Sequence, residues 1–307
     1  MFAADFPEWL VRLAALSLGA LFGSFFNVAI YRWPRDLSVV SPGSRCPSCG
    51  EPVKPWLNLP IVGWLMLRGK ARCCGATLSP RYFLVEVLGA VLALAVAERY
   101  FIGAEYGMSA IRAGLDFALY FAFVGGMIVA TFVDLEWMEI PDEVTLPLVA
   151  IGLVSAPYRT GEEALDLAVG AGAGFLIVQM VFVVSYEQLF GRRGMGEGDA
   201  KLLMAIGAFL GWKAVLFALV AGSFQGLIAA GISLATGKSF TPNPPYHERA
   251  GYEDYEDDED EEDDEGEEGS PMKLPFGPFL ALAAIEWLFF GPELLDRWFG
   301  LFESQLH

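Results

Sequence analysis

The chain has 307 residues, of which 54% are hydrophobic, and its mean hydropathy is +0.44. These values exceed those of an average soluble protein and favour a polytopic membrane protein. The net charge of −18 comes mostly from 251–270, which holds 14 acidic residues and no basic one, so the rest of the chain carries only −4. Such a run is typical of a disordered, solvated spacer, and we expect no nucleic-acid partner.

Apolar segments in chain order predict an all-α polytopic membrane protein with about eight transmembrane helices in the lipid bilayer. The segments are 9–31, 82–103, 113–133, 144–157, 165–190, 201–212, 214–235 and 275–291. The predicted units are a first transmembrane helix (1–31), a small cytoplasmic cysteine-containing loop domain (32–81), a transmembrane core (82–235), a second cytoplasmic loop with the acidic run (236–274), and a last helix with its tail (275–307).

The distribution of Lys and Arg predicts the orientation. The loops on one side carry 14 basic residues, whereas the other side, with both termini, carries 6. Because basic residues accumulate in cytoplasmic loops, we expect the first side to face the cytoplasm and both termini to lie outside. The start, "MFAADFPEW", lacks the basic region of a secretory signal, which indicates an uncleaved first span.

Two carboxylates are predicted at the cytoplasmic membrane edge. Asp134 ends the third span in "TFVDLEWMEIPDEVTLP", and Asp199 follows the glycine run "GMGEGD". The helix that begins near Asp199 has about 14 residues, roughly 21 Å, and is too short for a ~30 Å core. The segment after Asp134 is also short, so both acids would lie recessed, where a carboxylate is a functional candidate. Two facing carboxylates that share one proton form an aspartic-protease pair.

Other interpretations of these residues stay open. A carboxylate at Asp199, Asp142 or Glu143 also suits a helix N-terminus for its interaction with the helix dipole. The glycines form a lone GxGxG that follows a membrane helix rather than a strand, so they indicate nucleotide binding only weakly. The chain has two histidines and no HExxH, which excludes a zincin mechanism and leaves carboxylates as the acid–base groups of any hydrolase.

Five motifs resemble those of type IV prepilin peptidases, which are integral-membrane aspartic proteases of the GxGD type. The motifs are "GSFFNVAIYRWP" (23–34), "CPSCG" (46–50) with "LSPRYFLVE" (78–86), "VDLEWMEIPD", "GEGDAKLL" and "LPFGPFLA" (274–281). GxGD alone is short, but the order of the motifs and their placement relative to the membrane carry the resemblance through nearly the whole chain.

The resemblance implies an endopeptidase that removes the leader of type IV prepilins or pseudopilins after a glycine, at the cytoplasmic face of the bacterial inner membrane. It places the catalytic pair on Asp134 and Asp199. It also implies N-methylation of the new N-terminus with S-adenosylmethionine, whose binding residues it does not identify. The glycines would make room for the substrate backbone. The residues of this substrate loop are Gly194, Gly196, Gly198 and Lys201.

The four cysteines indicate a metal site, because a cytosolic CxxC pair favours a metal over a disulfide. Cys46, Cys49, Cys73 and Cys74 are the candidate Zn²⁺ ligands. The sequence departs from the pattern of related enzymes, since Ala71 stands where a cysteine is expected and Cys73 adjoins Cys74. A four-thiolate site, a weaker three-cysteine site and no site therefore remain alternatives.

Two functions of other classes remain. A secondary transporter would use intramembrane carboxylates for proton relay, near mid-membrane and with inverted repeats. A non-catalytic assembly factor for a pilus or secretion machine would leave prepilin leaders uncut.

Overall fold

The computed structural model describes residues 2–159, 164–185, 188, 195–237 and 274–303. Helices dominate this part of the chain, which holds three isolated β-bridges and no strand. The helices are α1 (Glu8–Arg32), α2 (Val62–Met66), α3 (Pro80–Ala97), α4 (Ala110–Trp137), α5 (Asp142–Ser155), α6 (Ala164–Ile177), α7 (Glu197–Thr236) and α8 (Gly277–Glu303). π-Helical turns extend α3 over Glu98–Ile102 and α6 over Val178–Ser185.

Five helical stretches of the described chain are long and apolar enough to cross a membrane. They are Glu8–Arg35, Pro80–Ile102, Ala110–Trp137, Ala164–Val181 and Glu197–Thr236. The predicted all-α class is therefore confirmed, and each of the eight predicted apolar segments overlaps a helix in the described part of the chain. Two of those segments fall on α7, and α5 and the apolar part of α8 are shorter, so the count of eight crossings stays a prediction.

Helix α7 reverses direction at Gly211. Its 40 residues would measure about 60 Å if straight. Gly211 instead has φ 80° and ψ 177°, which is not helical and favours glycine. A Cβ on Gly198 would lie 3.0 Å from Ile140, and one on Gly277 would lie 3.0 Å from the same side chain. Gly226, 28 residues beyond Gly198, lies 3.8 Å from Phe276 by the same measure, so both arms of α7 reach one end of the bundle.

Glycines bring α6 against the first arm of α7 at backbone contact. A Cβ on Gly170 would lie 2.6 Å from Trp212 N, and one on Gly174 would lie 2.6 Å from the Leu203 carbonyl carbon. Small residues let two helix backbones approach closely. Membrane helices associate through such packing, because the hydrophobic effect does not drive helices together within lipid. The pair is antiparallel and holds the short first arm in place.

The centre of the bundle lies between α4 and the first arm of α7. Phe123 and Phe209 are fully buried, with ring centroids 4.8 Å apart. The outer faces expose large apolar side chains, as contact with lipid requires. Examples are Leu13, Ile111, Val154, Val220 and Leu234.

Helices α1 and α3 form a second antiparallel pair at the N-terminal side. A Cβ on Gly23 would lie 2.7 Å from the Glu86 Cα, so the two backbones touch. The segment between the helices, the cysteine loop (33–79), contains α2 and all four cysteines. This segment lies within the predicted loop domain 32–81, which stays a prediction as a separate cytoplasmic domain.

Two predictions differ from the structure in detail or lie outside it. Helix α4 continues to Trp137, so Asp134 lies in its last turn rather than at its end. The acidic run 251–270 and Gly194 lie outside the described residues.

Candidate active site

Asp134 is buried in the last turn of α4, with 6% of its surface exposed. The helix ends where Met138 adopts a left-handed conformation, with φ 55° and ψ 36°. The Oδ2 atom of Asp134 accepts a hydrogen bond from the backbone N–H of Gly277 at 2.8 Å. Gly277 is the first residue of α8, so the carboxylate faces the positive end of a helix dipole. A contact across 143 residues thus fixes the position of Asp134.

Asp199 lies in the first turn of α7 and accepts a hydrogen bond from the Gly196 N–H at 3.3 Å. This is the capping arrangement that the sequence left open as an alternative to function. Asp199 also acts electrostatically on Asp134. The cap is therefore compatible with the predicted pairing, because capped Asp199 still lies within electrostatic range of Asp134.

Ile140 packs against a glycine next to each carboxylate. Its side chain lies against Gly198, beside Asp199, and against Gly277, which donates to Asp134. A side chain on Gly277 would come within 2.7 Å of Asp134 Oδ2. The absence of side chains at these glycines therefore permits the close approach of the last turn of α4 and the first turns of α7 and α8.

The predicted substrate-loop residues are only partly described. Gly196 is exposed and forms the N-cap of α7, whereas Gly198 lies against Ile140. Lys201 donates from Nζ to both carboxylate oxygens of Asp142, at 2.6 and 2.8 Å. The pair connects the N-terminal parts of α5 and α7, and the role of Lys201 in the substrate loop stays a prediction.

A buried arginine that the sequence did not single out joins the opposite ends of these two helices. Arg159 is 5% exposed and donates to the carbonyl oxygens of Phe209 at 2.6 Å, Ala208 at 2.8 Å and Gly152 at 3.2 Å. These carbonyls lie near the end of α5 and at the end of the first arm of α7, where helical partners are lost. The guanidinium thus ties the end of α5 to the end of the arm whose first turn holds Asp199.

The cysteine loop contains two similar turns. The Gly50 N–H donates to the Cys46 carbonyl at 2.9 Å, and the Gly75 N–H donates to the Ala71 carbonyl at 2.8 Å. Cys46 and Ala71 are both buried, at 5% and 7% exposure. Ala71 therefore occupies the position that Cys46 has in the first turn, as expected from the altered spacing.

Cys73 supplies the sulfur that Ala71 lacks. The four Sγ atoms lie within 4.8 Å of one another, with Cys49 to Cys73 at 3.3 Å and Cys46 to Cys74 at 3.7 Å. Tetrahedral zinc with Zn–S bonds of about 2.3 Å would separate its sulfurs by about 3.8 Å, so the residues fit the ion. Backbone N–H groups of Cys49 and Ser48 lower the pKa of Cys46 to about 6, which favours a thiolate ligand.

A cavity of about 740 Å³ lies between the cysteine loop and the ends of α1 and α3. It is lined by Asn27 and Glu86, both buried in the helices. Neither residue was singled out from the sequence, although both lie within motifs that carried the resemblance. The sequence feature that could have identified them is a polar or ionisable residue inside an apolar helix.

Two contacts connect this N-terminal region with the end of α4. Arg81 forms an ion pair with Glu136, two residues after Asp134. The guanidinium of Arg35 lies 4.1 Å from the ring centroid of Tyr31 and 4.6 Å from that of Trp137. The cavity region and the aspartate pair are therefore neighbours.

Comparisons with known proteins also separate the region around the cysteine loop from the region that holds the aspartates. Residues 17–100 match the family model of the bacterial peptidase A24 N-terminal domain, and residues 121–231 match that of the type IV leader peptidase family. The chain is 31% identical over 95% of its length to a prepilin leader peptidase/N-methyltransferase of Aeromonas hydrophila, 94% of which is covered.

The chain belongs to the type IV leader peptidase family. A family member of Myxococcus xanthus with the same name is 34% identical over 90% of this chain and 89% of its own length. One from Neisseria gonorrhoeae is 37% identical over 76% of this chain and 86% of its own. No solved structure matches the chain. The first family match covers the cysteine loop and its two helices, and the second covers both aspartates.

Proposed function

We propose that this chain is a membrane aspartic endopeptidase that removes the leader of type IV prepilins or pseudopilins after a glycine. The observation that supports this most is the convergence of Asp134 and Asp199 at one end of the bundle, each with a backbone N–H donor. The sequence similarity to enzymes named for this cleavage supports the substrate class.

In this mechanism the aspartates share one proton. The ionised carboxylate takes a proton from water as the water oxygen attacks the scissile carbonyl carbon. The C–N bond then breaks, and the protonated carboxyl group donates its proton to the departing amine. Asp199 is held by its cap and Asp134 by Gly277, so both groups are oriented before substrate arrives.

We propose that the active site faces the cytoplasm of the bacterial inner membrane, with both termini on the periplasmic side. The reversal at Gly211 supports eight crossings, because the two arms of α7 then count separately. The excess of basic residues on the aspartate side supports the orientation.

N-methylation of the new N-terminus is the second proposed activity, with S-adenosylmethionine as methyl donor. Zinc held by Cys46, Cys49, Cys73 and Cys74 would supply folding energy to the cysteine loop. Four thiolate ligands would leave no open coordination position, which suits a structural rather than a catalytic metal.

Co-expression with a candidate prepilin, followed by mass analysis of the pilin N-terminus, tests the peptidase. We expect a shortened product with the wild-type chain and an intact leader with Asp134→Asn. Asp116→Asn is the matched control, because Asp116 is also buried on α4 but lies 18 residues away, about 27 Å along the helix. Normal cleavage by the Asp134 variant would contradict the proposed pair.

The same experiment separates the alternatives. An uncut prepilin beside a correctly inserted wild-type chain would favour an assembly factor. Proton transport without cleavage would favour a transporter, although the position of the acids argues against it. Asp199 lies 12 residues, about 18 Å, from the break at Gly211, whereas transporter acids tend to lie at such breaks near mid-membrane.

A further inference from the structure

The cavity at the N-terminal region has the size of a small-molecule site. Its volume of about 740 Å³ falls within the roughly 300–1,000 Å³ typical of such sites. Side chains of α1 and α3 form one wall, and the cysteine loop forms the other. The aspartate pair is not among its lining residues, so the cavity is a separate site.

Two buried polar atoms beside this cavity have no hydrogen-bond partner in the described chain. Asn27 donates from Nδ2 to the Tyr82 carbonyl at 2.9 Å, which leaves its Oδ1 atom as an unused acceptor. Trp64 also lines the cavity, and its Nε1–H is an unused donor. Because an unsatisfied buried polar group is unfavourable, a ligand with both donors and acceptors would be favoured here.

Glu86 adds a carboxylate to the same cavity. Its Oε2 atom accepts a hydrogen bond from the Ile61 N–H at 2.6 Å, which ties α3 to the cysteine loop. Ile61 has φ 63°, a strained conformation for a β-branched residue, and this contact helps to hold it. The carboxylate therefore has a fixed position in a site that also offers the tyrosine rings of Tyr31 and Tyr82.

These features match S-adenosylmethionine and an amine. The cofactor carries a sulfonium cation, an amino-acid group and an adenine with both donors and acceptors. Asn27 Oδ1 complements an N–H group of the cofactor, and Trp64 Nε1 complements an acceptor group. The new pilin N-terminus has to lose a proton before its nitrogen can attack a methyl group, and Glu86 is a base in the cavity.

The cavity is also within reach of the cleavage product. Tyr31 lines the cavity and contacts Arg35, which stacks on Trp137 three residues after Asp134. A pilin N-terminus released at the aspartates would therefore move past the last turn of α4 to enter the cavity.

We propose that this cavity is the methyl-transfer site, with Asn27 and Trp64 as contacts of S-adenosylmethionine and Glu86 as acceptor of the amine proton. The amine nitrogen forms a bond to the methyl carbon, the C–S bond breaks with its electrons retained on sulfur, and the amine proton passes to Glu86. The inference rests on the proposed methylation, but not on the assignment of the peptidase pair.

Cofactor binding provides the first test, by calorimetry on full-length protein carrying Asp134→Asn. Trp64→Phe keeps the ring and removes the N–H, and Asn27→Leu removes the acceptor. We expect each change to weaken S-adenosylmethionine binding about 2- to 10-fold, as for loss of one hydrogen bond. Trp56→Phe is the matched control, because Trp56 lies in the same loop, is 59% exposed and does not line the cavity.

The second test uses Glu86→Gln, whose amide oxygen still accepts from the Ile61 N–H. We expect cofactor binding within about twofold of wild type, cleavage within a few-fold, and methylation of a pre-cleaved pilin lowered about 10²- to 10⁴-fold, as for loss of a general base. The remaining rate should rise with pH up to about 8, where an α-amino group loses its proton in solution. Glu105→Gln, at an exposed residue, is the control.

The two tests can overturn the cofactor site and the role of Glu86 separately. Unchanged binding in both the Trp64 and the Asn27 variants would overturn the cavity as the cofactor site. Normal methylation by Glu86→Gln would overturn its role as base. A wild-type chain that binds the cofactor through these residues but cuts no prepilin would contradict the proposed peptidase and support the cavity.

Discussion

The two halves of the molecule use buried carboxylates differently. In the C-terminal half, Asp134 and Asp199 lie at helix ends and accept N–H donors from Gly277 and Gly196. In the N-terminal half, Glu86 stands as a single carboxylate inside α3 and accepts from Ile61. Hydrolysis needs an acid and a base together, whereas methyl transfer to an amine needs only a base, which one buried carboxylate can supply.

The largest effect is expected from changes to the two aspartates, which should impair the function of the C-terminal half alone. Asp134→Asn and Asp199→Asn should each lower cleavage by about 10³-fold or more, because the proton donor or the base is lost. The double variant should be little worse than either single one, since the groups act as a unit. Methylation of a pre-cleaved pilin should stay within a few-fold, measured by transfer of a labelled methyl group. Equal loss of both activities would contradict the separation of the halves.

Arg159 tests whether the far end of the bundle positions the aspartates. Arg159→Met should lower kcat for cleavage about 10- to 100-fold with KM little changed, because Asp199 would shift along the axis of its helix. Arg159→Lys should recover part of the rate. Lys213→Met, at an exposed cation near the same break, is the control. A purely structural role would lower methylation of pre-cleaved pilin as strongly as cleavage, which is the outcome that excludes positioning.

Changes to the cysteine loop should have a smaller effect than changes to the aspartates, and they should impair methylation more than cleavage. Cys46→Ser with Cys49→Ser should remove about one zinc per chain, measured by metal analysis, and lower methylation about tenfold while cleavage changes less. The reason is that the loop forms a wall of the cavity and supplies no group to the aspartate pair.

The similarity of the two turns in the cysteine loop allows a sharper test of the metal site. Cys73→Ser should weaken zinc retention, and Ala71→Cys added to it should restore retention, because position 71 corresponds to Cys46. Zinc missing from wild-type protein purified without chelator would contradict the metal site. Failure of the Ala71→Cys rescue would contradict the correspondence.

The smallest effect is expected from the acidic run. Deletion of Gly251–Gly269 should leave cleavage of a detergent-solubilised substrate within a few-fold, because the run has almost no apolar residues that could fold. The rate of cleavage under matched insertion measures this. A large loss would mean that the run recruits substrate or contacts the site.

Local patterns were sufficient for several features. The apolar segments predict the helices, and the sequence predicts a helix that begins near Asp199, which the structure places in the first turn of α7. The short helices after both acids predict their matched placement. The pattern of related enzymes predicts that Ala71 stands where a cysteine is expected. These features depend on residues a few positions apart, which is the range over which helical periodicity, capping and turn preference act.

Only the tertiary structure decided which distant groups meet. The Gly277 N–H reaches Asp134 across 143 residues, and Arg159 reaches Phe209 across 50. Asn27 and Glu86 face one cavity only because α1 and α3 touch at Gly23. Such contacts depend on how close the backbones of two helices approach, and this follows from the packing of the whole bundle rather than from any local pattern.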